Sequence, residues 1–335
     1  MSTKSKSLFT TAALSIAFAA TTLAGSAVAA DMPVKAPPAA PEAPLFFVNQ
    51  NSLSYSYAFT ANNPGAGKTP KDILTFNHFD VWAYGTNFFN VDWLKATNGK
   101  NPPNGTPAAP CDFVPGTTGC SGFTEIYGLF RSTFGWNQVF NTKAFAAGPL
   151  TNIEFAVGAD LNTDNTTLGS AKRSIQAGLQ FDFATFYKGF INVGGYVYKE
   201  WQNDGFAANG VGGNLNPSGK VDFNATWAIE MLYVQPLAFQ PLPLTFKSFA
   251  VIHGPKGCGE PCNPGPGLQR TTEYLTQQTL SLDVGKLAWG KADQLSVWTA
   301  YRWWKNKFGI DPNQPGFLFS NTVESTWLTG VTWIF

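Results

Sequence analysis

Apolar and polar side chains alternate along the chain from about residue 52 to its end, in segments of about ten residues separated by turn-forming clusters. In the first segment, for example, Leu53, Tyr55 and Tyr57 alternate with serines. Because successive residues of a strand point to opposite faces, each segment predicts a strand with one apolar and one mixed polar face. About twelve strands are predicted, beginning near residues 52, 73, 87, 124, 152, 174, 190, 221, 244, 275, 294 and 322.

The connections between these segments alternate in length. Short or medium links lie near residues 84–86, 138–150, 184–189, 237–243 and 287–293. Longer links, rich in Gly, Pro and Asn, lie near residues 61–71, 96–122, 162–172, 203–220, 254–272 and 306–320. An even number of strands with this alternation is typical of an outer-membrane barrel with short periplasmic turns and long extracellular loops. The sequence therefore predicts an all-β fold, a transmembrane antiparallel β-barrel over residues 50–335.

A secreted β-sandwich would also show alternation, but three features favour the barrel. The apolar faces end in Trp and Tyr, as an interfacial aromatic girdle does. The opposite faces carry too many charged residues for a dry core. The last strand ends on Phe335, which resembles the signal that the outer-membrane assembly machinery recognises, so we expect that machinery as a partner.

The N-terminus has the pattern of an export signal. Lys4 and Lys6 precede an apolar stretch over residues 8–23 and the sequence AVA at 27–29, which predicts a signal peptide over residues 1–29. An uncleaved membrane anchor is the alternative. Residues 30–49, which include PVKAPPAAPEAP, predict an extended periplasmic leader. No later apolar run reaches the ~20 residues of a spanning helix, so the predicted location of the barrel is the bacterial outer membrane.

Composition narrows the class of partner. The chain has 22 Lys+Arg against 21 Asp+Glu, so a net charge of +1 argues against a nucleic-acid partner. Only 13% of its residues are charged, and it contains 29 Phe and 11 Trp, which is atypical of both disordered and soluble cytosolic proteins. The partners expected instead are outer-membrane lipid and a small-molecule solute.

Four cysteines fall in predicted long loops of an exported chain, where disulfides form. Cys111 and Cys120 bracket one turn-rich stretch, and Cys258 and Cys262 bracket another. Local pairs, Cys111–Cys120 and Cys258–Cys262, are favoured, although four cysteines allow three connectivities. No metal site is predicted, because neither histidine stands near a cysteine pair at zinc-binding spacing.

The chain carries no motif of a hydrolase, metalloprotease or nucleotide-binding enzyme. Only His78 and His253 could serve as a general base. His78 stands two residues before Asp80, where an interfacial histidine is expected, and His253 is expected on a solvated rim. The sequence therefore predicts no catalytic residue, no cofactor and no enzymatic activity.

Function is then expected in the inward-facing side chains of the barrel. Aromatic rings beside hydrogen-bonding groups suit a planar, polar solute, although such rings can also simply fill a small barrel. The polar faces supply these predicted solute-contacting residues: Phe88, Asp92, Glu125, Tyr127, Arg131, Tyr196, Tyr198, Glu200, Trp298 and Arg302.

Several segments resemble one family. FTEIYGLFRSTFGWNQVF, SIQAGLQFDF, INVGGYVYKEWQNDG and TFNHFDVWAYGTNFFNVDWL are similar to segments of the nucleoside-specific channel-forming proteins of the Tsx and OmpK type. The likeness runs over about residues 50–335, and YKEWQN at 198–203 is its most specific piece. It implies a monomeric, twelve-stranded barrel that passes nucleosides, with lumen roles for Phe79, Glu125, Tyr127, Tyr196, Tyr198 and Glu200.

The chain departs from that family in its Pro-rich leader, its Cys-bearing loops and neutral wall residues such as Val81, Leu129 and Gly194. The predicted function is passive, substrate-selective diffusion of nucleosides or similar small aromatic polar solutes. The alternatives are a nonselective small-solute porin and a structural or adhesive barrel with a plugged lumen.

Overall fold

The computed structural model describes residues 45–62, 64, 68–97, 123–165, 170–203, 218–239, 241–257, 269–313 and 322–335. The predicted signal peptide, residues 30–44 of the predicted leader and all four cysteines lie outside the described residues. Within those ranges, no helix is both long and apolar enough to cross a membrane.

Strands make up most of the described chain. Their bounds are β1 Phe46–Ala58, β2 Lys71–Trp82, β3 Gly85–Ala96, β4 Thr124–Gly135, β5 Leu150–Asp164, β6 Arg173–Ala184, β7 Phe190–Asn203, β8 Lys220–Asp222, β9 Thr226–Pro236, β10 Leu244–His253, β11 Glu273–Asp283, β12 Leu295–Lys305 and β13 Glu324–Ile334. Most begin within three residues of the predicted starts. The exceptions are β1 and β9. Strand β1 begins at Phe46, so the predicted boundary between leader and barrel at 49/50 falls inside it. Strand β9 begins at Thr226, after the short β8 that contains the predicted start near residue 221.

The strands form one closed antiparallel ring. Neighbours follow the order β6-β5-β4-β3-β2-β1-β13-β12-β11-β10-β9-β7, and β6 pairs with β7 to close the ring. The short strand β8 pairs only with the end of β7, just before β9 continues along the same neighbour. Twelve strands therefore form the wall, which confirms the predicted fold.

Short connections gather at one end of the ring. The link between β4 and β5 contains a helical turn, α1 (Trp136–Val139), and the link between β11 and β12 contains α2 (Val284–Trp289). Asp283 caps α2 by accepting a hydrogen bond from the backbone N–H of Lys286, and Gly290 ends it in the left-handed conformation. The longer connections all lie at the opposite end, which in such barrels faces the outside of the cell. We call these the inner and outer ends.

The exterior of the ring is apolar. Exposed side chains such as Leu53, Phe89 and Phe130 point away from the lumen in mid-strand. Exposed aromatic residues flank this belt, with Trp93, Trp227 and Trp327 towards the outer end and Phe134, Trp333 and Phe335 towards the inner end. A closed barrel with an apolar exterior crosses a membrane through its strands, because every wall backbone group is paired, and such barrels lie in the bacterial outer membrane.

Candidate functional site in the barrel lumen

Strand pairing fixes which side chains face the lumen. On β1, Ser54 and Ser56 are buried, whereas Leu53 and Tyr55 between and beside them are exposed to the exterior. Following the registers around the ring from Ser54 assigns the inward face of every strand. Each predicted solute-contacting residue lies on that face: Phe79, Phe88, Asp92, Glu125, Tyr127, Arg131, Tyr196, Tyr198, Glu200, Trp298 and Arg302.

A cross-lumen strut stands at mid-height. Arg131 on β4 donates from Nε to Glu230 Oε2 at 2.9 Å and from Nη2 to Glu230 Oε1 at 2.6 Å. Its third nitrogen, Nη1, donates to Asp160 Oδ1 on β5 at 2.7 Å. Glu230 lies on β9, and three strands separate β4 from β9 along the ring, so the bidentate pair crosses the lumen as a chord.

The strut depends on a small residue beneath it. Gly158 on β5 pairs with Arg131 in the register, and a Cβ at position 158 would lie only 2.7 Å from Arg131 Cδ. Glycine therefore lets the guanidinium cross the wall of β5 towards Glu230 and Asp160. Arg131 therefore stands as a cation between two carboxylates, and the side chains of Arg131 and Glu230 remain 17% exposed.

Opposite the strut, polar groups form a ladder over β1–β3 in which Asp92 is the one ionisable side chain. Asn77 donates to Ser52 Oγ at 3.3 Å, and Asn90 donates to Asn77 Oδ1 at 2.8 Å. One step further towards the outer end, Thr75 donates to Asp92 Oδ1 at 2.6 Å. We call these five residues the amide–hydroxyl band. They offer hydroxyl and carboxamide groups rather than a dense array of charges.

An indole ring extends the band onto β12 and β13. Trp298 Nε1 donates to Thr332 Oγ1 at 3.0 Å, and Thr332 and Ser54 hydroxyls lie 2.8 Å apart. The ring covers Gly330, which leaves no room for a Cβ at that position. The indole therefore lies along the wall, half-buried, with polar groups of three neighbouring strands beside it.

The outer part of the lumen is filled by ion pairs. Lys256, in the connection after β10, lies 2.7 Å from Glu200 Oε2 on β7 and 4.0 Å from Glu273 Oε2 on β11. Lys307, in the turn after β12, lies 2.7 Å from Glu324 Oε2 on β13 and donates to the backbone oxygen of Asn62 at 2.7 Å. The side chains of Lys256 and Glu200 are each only 1% exposed.

A third lysine completes this arrangement. Lys172, just before β6, lies 4.0 Å from Asp160 Oδ2. Burial alone would lower the pKa of Lys172, but the carboxylates of Glu200 and Asp160 outweigh burial, so its pKa lies above the usual value and the side chain is a cation. We call the three lysines and their carboxylate partners the outer ion-pair ring: Lys172, Lys256, Lys307, Asp160, Glu200, Glu273 and Glu324.

Tyr198 and His253 are stacked inside the outer ion-pair ring. Their rings lie 4.2 Å apart with an interplanar angle of 22°. The Tyr198 hydroxyl donates to Glu200 at 2.6 Å, and His253 Nδ1 lies 3.3 Å from Glu273. The expectation of a solvated rim position for His253 is wrong, because its partners leave it only 5% exposed. The two rings meet across β9, where the small Ala228 lies on the inward face.

The other predicted lumen residues occupy distinct surroundings. Tyr196 lies with its ring against Gly194 of its own strand. Arg302 donates from Nε to Gln277 Oε1 at 2.9 Å, and its Nη1 lies 3.9 Å from Glu324. Glu125 lies 3.8 Å from Lys71 at the outer end. Phe79, Phe88 and Tyr127 remain half-buried on the wall.

His78 faces the exterior near the inner end, as its predicted interfacial role requires. Its Nδ1 lies 2.9 Å from Asn51 Oδ1 and its Nε2 lies 3.2 Å from Asp80 Oδ2. Asn87 donates to the other oxygen of Asp80 at 2.9 Å, and Ser132 donates to Asn87. This exterior network lies beside Trp82 and is separated from the lumen by the wall.

Sequence reasoning did not single out Lys172, Lys256, Lys307 or Glu273. A signal for the lysines exists, since each stands within three residues of a predicted strand end at the long-loop side. The part of the chain that the structure describes holds no group of three or more His, Cys, Asp and Glu side chains that could bind a metal ion.

No protein-family model and no curated protein matches the chain. Solved structures with a similar fold include a KdgM porin, at 7% identity and a TM-score of 0.39, covering 84% of this chain and 98% of that one. Pseudomonas aeruginosa OprD, at 12% identity and a TM-score of 0.30, covers 86% and 94%. OmpT, an outer-membrane protein of Vibrio cholerae, at 9% identity and a TM-score of 0.34, covers 86% and 97%. Likenesses this distant carry no argument about substrate, and the resemblance to nucleoside-specific channels stays a prediction.

Proposed function

We propose that this barrel is an outer-membrane channel for the passive, substrate-selective diffusion of nucleosides or similar small aromatic polar solutes. The observation that carries the proposal is the asymmetry of the lumen at mid-height. The amide–hydroxyl band and Trp298 line one side, and the charged strut of Arg131, Glu230 and Asp160 stands on the other.

A lumen of this kind can bind a solute that has both hydroxyl groups and a planar ring. Sugar hydroxyls can exchange hydrogen bonds with Asn77 and Asn90, which bond each other, and with Thr75, which donates to Asp92. A planar base can lie against an aromatic ring, which contributes roughly 1–3 kcal/mol per base in nucleic-acid-binding proteins. Binding of this kind must be weak enough for the solute to leave, as passive diffusion requires.

Burial separates the predicted aromatic contacts into rings that a solute can reach and rings that it cannot. The face of Tyr198 is occupied by His253, and Tyr196 is only 7% exposed, so neither ring is free to stack without rearrangement. Trp298, Phe79 and Phe88 are half-buried on the wall and are the rings that a solute at mid-height can reach. We therefore assign the stacking role to these three residues first.

Single-channel recording tests the proposal. The mature protein is reconstituted in a planar bilayer, and current is measured with adenosine, thymidine or glucose on one side. We expect current steps that both nucleosides block saturably and that glucose does not. Steps that are indifferent to nucleosides would instead identify a nonselective porin.

A second function is favoured by one observation. The side chains of Tyr198, Glu200 and Lys256 are no more than 1% exposed, which is the packing of a plugged lumen. A structural or adhesive barrel of this kind would conduct no ions in the same recording, although it would insert and fold normally.

A further inference from the structure

Three of the long connections send a lysine inward at the outer end. Lys172 precedes β6, Lys256 follows β10 and Lys307 follows β12. Each ammonium group lies within 4.0 Å of a carboxylate on the inward face of a wall strand. The lysines stand on connections and the carboxylates on strands, so each pair links a connection to the wall.

Lys256 makes the longest of these links. In the ring order, β9 and β10 lie between β7 and β11, and Lys256 contacts Glu200 on β7 and Glu273 on β11. Beside it, the Tyr198–His253 stack joins β7 to β10 across β9. Ammonium, carboxylate and two rings therefore fill one side of the outer lumen.

Lys307 makes a similar link on the next two strands of the ring, β12 and β13, which follow β11. Its ammonium lies 2.7 Å from Glu324 on β13 and 4.4 Å above the ring of Trp304 on β12. Its bond to the backbone oxygen of Asn62 also ties in the connection between β1 and β2. The two lysines thus attach two neighbouring connections to the inward face of the wall.

The wall does not need these pairs in order to stay closed as a ring. Its strands are joined by continuous backbone ladders, including β9–β10 and β10–β11 beside Lys256. A lysine side chain that swings away from its carboxylate leaves those ladders intact, and its ammonium regains water at the outer surface. The pairs can therefore break while the barrel persists.

We propose that the outer ion-pair ring is a gate, closed in this structure, and that it opens when Lys256 and Lys307 leave Glu200 and Glu324. The inference rests on the proposed channel function. A gate of this kind would let a solute reach the amide–hydroxyl band and Trp298 although the outer ion-pair ring is tightly packed in this structure.

The test removes Lys256 together with its nearer carboxylate, and Glu273 keeps hydrogen bonds from Trp304 Nε1 and from the backbone N–H of Phe308. The variant Glu200→Gln with Lys256→Met is recorded in a planar bilayer beside the unchanged protein. The matched control is Asp222→Asn with Lys199→Met, which removes an exposed ion pair from the exterior face next to Glu200. Heat-modifiable migration on a gel verifies that each variant is folded.

We expect the open probability or conductance of the Glu200→Gln/Lys256→Met variant to rise at least about twofold, with the control unchanged. A folded Glu200→Gln/Lys256→Met variant that conducts like the unchanged protein overturns the gate and leaves the channel standing. Silence of every folded variant, including the unchanged protein, overturns the channel itself.

Discussion

The outer and middle parts of the lumen differ in how their charged side chains are arranged. Both carry charges inside a barrel, yet the outer part pairs each lysine with a nearby carboxylate and leaves almost no exposed surface. The middle part concentrates its charge in one strut, and the other wall carries amide and hydroxyl groups, Asp92 and an indole. The close ion pairs of the outer part are suited to closing the lumen. The amide–hydroxyl band and Trp298, opposite the charged strut, are suited to contact with a solute.

The largest loss of stability is expected when a substitution leaves a buried charge without its nearest partner. Lys256→Met by itself removes the cation nearest Glu200 and leaves a carboxylate that is 1% exposed. Breaking a buried pair in this way typically costs about 3–5 kcal/mol. Urea titration of the folded barrel in detergent should show this loss, whereas Lys199→Met, whose own side chain is 30% exposed, should cost no more than about 1 kcal/mol. Equal losses would mean that the outer pairs are no more buried in solution than the exterior pair.

Solute contact should depend on the middle part alone. Trp298→Ala removes the indole beside Thr332 and Ser54, and we expect the apparent affinity of adenosine block to fall about tenfold. Concentration dependence of the block in single-channel recordings measures this. The control, Trp327→Ala, removes an exposed exterior ring from neighbouring β13 and should leave the block as it was. A block that survives Trp298→Ala would move the stacking role to Phe79 or Phe88.

The strut should set the width of the middle part. Arg131→Ala with Glu230→Ala removes both side chains of the chord, and Asp160 keeps Lys172 and Ser174 as partners. We expect conductance to rise about twofold and the preference for nucleosides over glucose to weaken, because the solute is no longer held against the band. Current steps of unchanged size, in a barrel whose gate is removed by Glu200→Gln/Lys256→Met, would show that the strut does not limit flow.

The contrast between the two parts also separates what sequence patterns can predict from what they cannot. Alternation has a period of two residues, so the inward faces that carry Arg131 and Trp298 follow from short segments alone. The strand count follows in the same way, because turn residues are local signals. The start of β1 was misplaced because the segment before Ser52, FFVNQN, alternates poorly.

Contacts between distant strands depend on how the strands are staggered around the ring. Lys256 meets Glu200 across 56 positions of sequence, and Arg131 meets Glu230 across 99. Tyr198 and His253 come into contact only because of two registers, that of β7 with β9 and that of β9 with β10. No local pattern encodes these offsets, so His253 was expected at a solvated rim although it lies in a packed interior.

The smallest effect on stability is expected for the exterior pair of His78 and Asp80. His78 and Asp80 are 3.2 Å apart, as close as some pairs of the outer ring, but they face the exterior. His78→Gln keeps one of the two hydrogen bonds that the ring makes to Asn51 and Asp80, so the free energy of unfolding should fall by only about 0.5–1 kcal/mol. Conductance and adenosine block should not change, because no lumen group contacts this network among the described residues. A change in conductance or in adenosine block would mean that an exterior side chain affects the solute path through the wall. The position of a group relative to the lumen would then not explain the difference between the outer and middle parts.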